Sequence, residues 1–159
     1  MSPGNAHAPL LDAVGFHHIG VPVASLERSL AFYRELFGIE PDFVAESSGP
    51  ETARLVRVEG AELTYAFLTV GRDVLELLEY HTPTGRPFTG RNCDVGAVHI
   101  AFEVPDVDAA HAALVERGVE VSGPPVKTDG PLEGCATIYF TDPDGIQLEA
   151  FERPPADAP

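Results

Sequence analysis

The sequence predicts an α+β fold of two βαβββ modules in one chain, and three observations carry that reading. The order strand, helix, strands occurs twice between residues 14 and 152. The two opening strands carry the matching runs His18-Ile19-Gly20-Val21 and His99-Ile100-Ala101-Phe102, 81 residues apart. The two closing strands carry Leu75-Glu76 and Leu148-Glu149, 73 residues apart. A repeat that occurs only twice is too short for a solenoid. It implies a pseudo-twofold arrangement of two mixed sheets that could face each other.

The elements follow in order. Val14 to Val23 reads as a strand. Ser25 suits a helix N-cap, because its hydroxyl accepts from an early backbone N–H. Leu26, Leu30, Tyr33 and Phe37 then fall at i, i+4, i+7 and i+11, one face of a helix. Gly38 ends it, since glycine adopts the left-handed C′ conformation at least cost. Strands are expected at about 40–47, 53–59, 62–70 and 73–80. The run Leu63 to Val70 is rich in β-branched and aromatic residues. A linker over 81–94, with Pro83, Gly85, Pro87 and Gly90, leads to the second module. There Val95 to Val104 reads as a strand, and Asp106 caps a helix with Val107, Ala110 and Leu114 on one face and Gly118 at its end. Strands are expected near 119–122, 135–141 and 146–152. Asp142-Pro143-Asp144-Gly145 suits a type I turn that closes a hairpin. The predicted domain is therefore 14–152, with modules at 14–80 and 95–152. Tails at 1–13 and 153–159, rich in Pro, Ala and Gly, are expected to be poorly ordered.

A chain of 159 residues fits one domain. At 44% hydrophobic and 22% charged residues it can bury a core. Ten Lys and Arg against 25 Asp and Glu give a net charge of −15. Nucleic-acid binding needs the opposite balance to neutralise phosphates, so no nucleic-acid partner is expected. No apolar run approaches the roughly 18 residues of a membrane span, so no membrane association is expected. The opening Met1-Ser2-Pro3-Gly4-Asn5-Ala6-His7 lacks the basic and then apolar pattern of a secretory leader. Cys93 and Cys135, without a Cys-x-x-Cys spacing, fit a cytoplasmic protein with incidental thiols. A bridge between them stays open at this point.

Candidate chemistry comes from strand parity, because alternate residues share a face. Ile19, Val21 and Val23 form the face a helix would cover, which leaves His18 and Gly20 opposite. Leu75 and Leu77 leave Glu76 opposite; Ile100, Phe102 and Val104 leave His99; Ile146, Leu148 and Ala150 leave Glu149. Parity assigns His17 to the packed face and Glu79 to the side away from Glu76, as a solvated or salt-bridged residue. His18, Glu76, His99 and Glu149 thus project from the non-helix faces. A shared divalent metal would satisfy all four. Two imidazoles and two carboxylates suit Ni, Co, Mn, Fe or Zn with a position or two open for substrate.

The motifs resemble a known family. Phe16-His-His-Ile-Gly-Val-Pro-Val-Ala-Ser-Leu-Glu-Arg-Ser-Leu-Ala-Phe-Tyr-Arg-Glu-Leu-Phe-Gly38 resembles the opening of the vicinal oxygen chelate superfamily. That group includes glyoxalase I, methylmalonyl-CoA epimerase, extradiol dioxygenases and the fosfomycin and bleomycin resistance proteins. Val74 to Glu79, Val98 to Val104 and Tyr139 to Glu149 resemble its other signatures, so the match covers about 14–152. The resemblance implies a glyoxalase-like fold and the metal ligands His18, Glu76, His99 and Glu149, with one divalent ion per site. It also implies a homodimer, whether the modules pair within one chain or between two. The chain has no obvious counterpart of the arginine that glyoxalase I carries before its first helix and uses on glutathione.

The leading expectation is a metal-dependent lyase or isomerase of the glyoxalase or epimerase kind. Its small substrate would chelate the metal through two adjacent oxygens, as an α-hydroxycarbonyl does. The metal would stabilise developing enolate charge, and Glu149 or Glu76 would move the proton. One alternative is an Fe(II) ring-cleavage dioxygenase using His18, His99 and Glu149. Another is a drug-sequestering protein whose acidic surface attracts a cationic drug.

Overall fold

The computed structural model describes residues 13–154. The predicted tails 1–13 and 153–159 lie outside them, apart from Ala13, Arg153 and Pro154. The first module runs β1 (Ile19–Val23), α1 (Leu26–Phe37), β2 (Phe43–Ser48), α2 (Pro50–Val56), β3 (Glu62–Val70) and β4 (Asp73–Thr82). The second runs β5 (His99–Glu103), α3 (Val107–Glu116), β6 (Val126–Lys127), β7 (Ala136–Thr141) and β8 (Gln147–Glu152). Each module is a four-stranded mixed sheet, ordered β1-β4-β3-β2 and β5-β8-β7-β6. The first and last strands of each module pair in parallel, the first at one edge of its sheet and the last inside it, and the other pairings are antiparallel. Among the described residues no helix is long and apolar enough to cross a membrane.

The helices start where local chemistry says they should. Ser25 accepts from Arg28 N–H at the start of α1, and Asp106 accepts from Ala109 N–H at the start of α3. Gly38 closes α1 at φ 66°, the left-handed conformation that favours glycine. A second cap reaches each helix from its own sheet. Glu79 on β4 accepts from Leu26 N–H at 2.7 Å, and Glu152 on β8 accepts from Val107 N–H at 2.7 Å. A carboxylate there meets both a free donor and the positive end of the helix dipole. Glu79, expected as solvated or salt-bridged, lies 3.7 Å from His81 Nδ1 and is a capping residue as well.

Three expectations are corrected. Residues 53–59 are not a strand. Pro50 stands in the first turn behind Gly49, and Thr52 is anchored to Ser48 O and Ser47, so the segment winds into α2. The opening strands are shorter than predicted, beginning at Ile19 and His99. The segment near 119–122 makes only a single bridge, Val121 to Phe140, and the edge strand is β6 instead. Cys93 is exposed and Cys135 buried, both as free thiols.

The two modules meet along their helix-covered faces in one continuous core. Val21, Val23, Leu75 and Leu77 from the first sheet join Phe102, Ile138, Phe140 and Leu148 from the second. Helix α1 lies at the junction: Phe37 stacks on Phe102 with ring centroids 4.4 Å apart, and Tyr33 is fully buried. Arg28 pairs with Asp144, which also accepts from Ala24 N–H, so the β7–β8 turn is fastened to the start of α1. Arg117, which caps the end of α3, lies 3.4 Å from Glu35 on α1.

Asp142 closes the same turn. Its Oδ1 accepts from the N–H groups of Asp144 and Ile146, while its buried Oδ2 has no hydrogen-bond partner among the described residues. Burial pushes its carboxyl above the ordinary carboxylate range, partly offset by those two N–H groups. An acid with a raised folded pKa binds its extra proton in the folded state. Stability therefore falls as pH rises from about 4, the ordinary aspartate value, through the raised one. Asp142→Asn keeps the Oδ1 acceptor and cannot ionise. In thermal melts the variant should unfold at a higher temperature than the parent at pH 7, and the gap should close towards pH 4. A gap independent of pH would detach the effect from this carboxyl.

Candidate active site

In the first module His18 sits immediately before β1, and the register pairs Gly20 with Glu76. His18 Nε2 lies 3.3 Å from Glu76 Oε2. His18 Nδ1 is in contact with His17 Nδ1 at 2.7 Å, so Nε2 is the nitrogen presented to the carboxylate. Gly20 leaves room for the pair, because a Cβ there would come 3.1 Å from Glu76 Oε2. His17 is exposed beside His18 and edge-on to Phe67, not packed in the core. Strand alternation begins only at Ile19, so the parity argument did not reach it.

The second module repeats the motif with additions. His99 opens β5, and Ala101 is the register partner of Glu149. His99 Nε2 lies 3.1 Å from Glu149 Oε2 and 3.3 Å from the Tyr139 hydroxyl. Thr137 Oγ1 donates to Glu149 Oε1, which holds the carboxylate in one orientation. Burial, then the charge of Glu149, pushes the Tyr139 phenol above its ordinary value, so it remains protonated at neutral pH. Asn92, Ala97, Val98, His99 and Tyr139 line a pocket of about 210 Å³ here. Thr137 lay outside the sequence reading. Its signal was present, since it stands two residues before Tyr139, the residue opposite Glu149.

The structure thus brings the four candidate residues together as two pairs. It does not bring the pairs together within one chain. Among the described residues no group of three or more His, Cys, Asp or Glu is placed to hold a metal ion. The modules share their helix-covered faces, and each His–Glu pair lies on the other face of its own sheet. Each pair offers one imidazole nitrogen and one carboxylate oxygen. The Glu76 and Glu149 side chains are only 16% and 10% exposed, and no Lys or Arg lies within ion-pair distance of either among the described residues. A carboxylate withdrawn from water needs a cation or donors to offset desolvation. This donor set could hold a divalent cation, provided that both halves contribute.

A family model described as Glyoxalase/Bleomycin resistance protein/Dioxygenase superfamily matches residues 15–150. The chain belongs to that superfamily. Within it, a 2-epi-5-epi-valiolone epimerase of Actinomyces sp is 39% identical over 153 residues, covering 92% of this chain and 83% of the relative. A lactoylglutathione lyase of Arabidopsis thaliana is 26% identical over 95% of this chain, which spans 48% of that longer protein. Among solved structures, a glyoxalase family protein from Bacillus cereus superposes with a TM-score of 0.79 at 20% identity, covering 93% of this chain and 99% of that one. The two βαβββ modules predicted from the repeat, and the glyoxalase-like fold that the resemblance implied, are observed.

Thr137→Val removes the donor that orients Glu149 while nearly preserving shape. Manganese titrated into the variant by calorimetry should bind about ten- to a hundredfold more weakly, as for other residues that orient a ligand. Unchanged affinity would separate Thr137 from any cation site.

Proposed function

We propose that this chain is a divalent-metal-dependent epimerase acting on a small α-hydroxy ketone, in a site built by two copies of the chain. The observation that carries the reading is the pair of half-sites, His18 with Glu76 at 3.3 Å and His99 with Glu149 at 3.1 Å, with no group of three or more such side chains gathered in one place among the described residues. The epimerase name of the 39% identical relative supports the reaction class.

In this reading His18 and Glu76 of one copy and His99 and Glu149 of its twofold mate hold the ion. Exchange across a twofold axis generates two equal sites per dimer. The ion supplies Lewis-acid stabilisation of the negative charge that develops on the ketone oxygen.

Inverting a stereocentre requires a proton to leave one face of a carbon and return on the other. Two carboxylates on two facing sheets supply that geometry, one on each side of the bound substrate. Glu149 is anchored by Thr137, whereas Glu76 Oε1 has no hydrogen-bond partner among the described residues. Glu76 is the carboxylate freer to swing between roles, and Tyr139 stands protonated beside His99 to donate to a substrate oxygen.

Two measurements test the proposal. Glu76→Gln and Glu149→Gln each remove one proton carrier while keeping an oxygen donor. In D₂O each variant should exchange the α-proton of only one epimer and interconvert the pair at least about 10²-fold more slowly than the parent. Exchange lost from both epimers together in both variants would contradict two opposed carriers. The second measurement mixes His18→Ala with His99→Ala protein after dissociation and reassociation. If sites form between chains, half of the random dimers are mixed and each carries one intact site, so roughly a quarter of parental activity returns. No recovery would place each site within one chain.

A further inference from the structure

Two histidines precede β1 in the chain, and the candidate ligand is the second of them. His17 Nδ1 lies 2.7 Å from His18 Nδ1. At that separation one nitrogen carries a hydrogen and the other a lone pair, since two hydrogens would collide and two lone pairs would repel. The rings meet edge-on, with centroids 5.0 Å apart and planes at 85°. Phe67 packs against both, 6.3 Å from His17 and 5.4 Å from His18. Phe67 stands opposite Glu76 in the sheet register and heads an aromatic row with Phe43 and Tyr65, 5.0 and 6.1 Å away. The two imidazoles are thus braced by a ring fixed in the sheet, although neither histidine belongs to a strand.

The contact decides which nitrogen of His18 can serve a cation. Its Nε2 faces Glu76 Oε2 at 3.3 Å, and a cation shared with that carboxylate needs the Nε2 lone pair. A neutral imidazole has one N–H hydrogen, which must then sit on Nδ1. His17 Nδ1 is the acceptor within reach. A ligating imidazole that donates its other N–H is held in one orientation and becomes a stronger donor to the ion. The second module has no such arrangement. The 81-residue offset places Val98 where His17 stands, and the exposed Val98 side chain cannot accept a hydrogen bond. The contacts of His99 fall on Nε2 instead, with Glu149 and the Tyr139 hydroxyl. Each half-site therefore fastens a different member of its pair. The first holds its imidazole through His17, and the second holds its carboxylate through Thr137.

We propose that His17 is a positioning residue for the cation site: it accepts the Nδ1 hydrogen of His18 and so fixes the tautomer and the aim of the Nε2 that ligates. The inference rests on the metal-dependent reading and extends it to a residue outside the four candidate ligands.

Two variants and two readouts test it. His17→Leu removes the acceptor, while His17→Asn keeps an oxygen near the place of Nδ1. His17 is exposed, so neither change disturbs the core. Manganese titrated by calorimetry should bind His17→Leu about ten- to a hundredfold more weakly than the parent, and His17→Asn within about threefold of it. Parental affinity in His17→Leu overturns the proposal. An equal loss in both variants overturns it too, because ring bulk against Phe67 would then be the cause. The second readout is the ¹H–¹⁵N spectrum of the histidine rings in protein loaded with diamagnetic zinc. The parent should carry the His18 hydrogen on Nδ1 and show a scalar coupling from there to His17 Nδ1, which only a hydrogen bond transmits. A hydrogen on Nε2, or an Nδ1 hydrogen uncoupled to His17, overturns the proposal whatever the affinities. If the parent takes up neither ion, the metal-dependent reading and this role fall together. Uptake indifferent to His17 removes the role alone.

Discussion

Phe37 stacks on Phe102, ring on ring at 4.4 Å, and that contact turns the helix-covered faces of both modules inward. The placement of both His–Glu pairs depends on it. An amphipathic helix must bury its apolar stripe, and α1 does so against two sheets at once, with Tyr33 sealed at the junction. Once those faces are spent on the core, each His–Glu pair is left on the other face of its sheet. Each module carries one His–Glu pair, and the proposed site needs a pair from each of two copies.

The pseudo-twofold is kept by capping as much as by the ligands. Each closing strand carries a glutamate three residues beyond the candidate ligand, Glu79 after Glu76 and Glu152 after Glu149. Each reaches back 2.7 Å to the first backbone N–H of its own module's helix. One strand therefore delivers two carboxylates to two faces, one that caps the helix and one that pairs with a histidine. The strand's period of two decides which is which, since positions three apart have opposite parity.

This logic also marks how far the sequence could be read. That His18 meets Glu76 and His99 meets Glu149 on one face of each sheet was legible because parity is local and both opening strands repeat the same run. The caps at Ser25 and Asp106 were legible because capping is the chemistry of a single turn. The segment 53–59 was not, because Val56 and Val58 suggest a strand while Gly49 and Pro50 decide for a helix. His17 misled because alternation has meaning only inside a strand, and β1 starts two residues later. Which faces the modules share was not legible either. Phe43, Tyr65 and Phe67 make the open face of the first sheet nearly as apolar as its covered one, so hydrophobicity alone does not choose between them.

The Thr137 hydroxyl has no twin. Its counterpart in the first module is Tyr65, which belongs to the aromatic row. A site assembled from two related halves has therefore lost its own mirror balance: one carboxylate is clamped and the other is free to rotate. In the proposed reaction the two directions of turnover are chemically alike but mechanically unlike. A proton lifted by the loose arm meets solvent sooner than one lifted by the clamped arm. The enzyme would remember, in the isotope it returns, which epimer it started from.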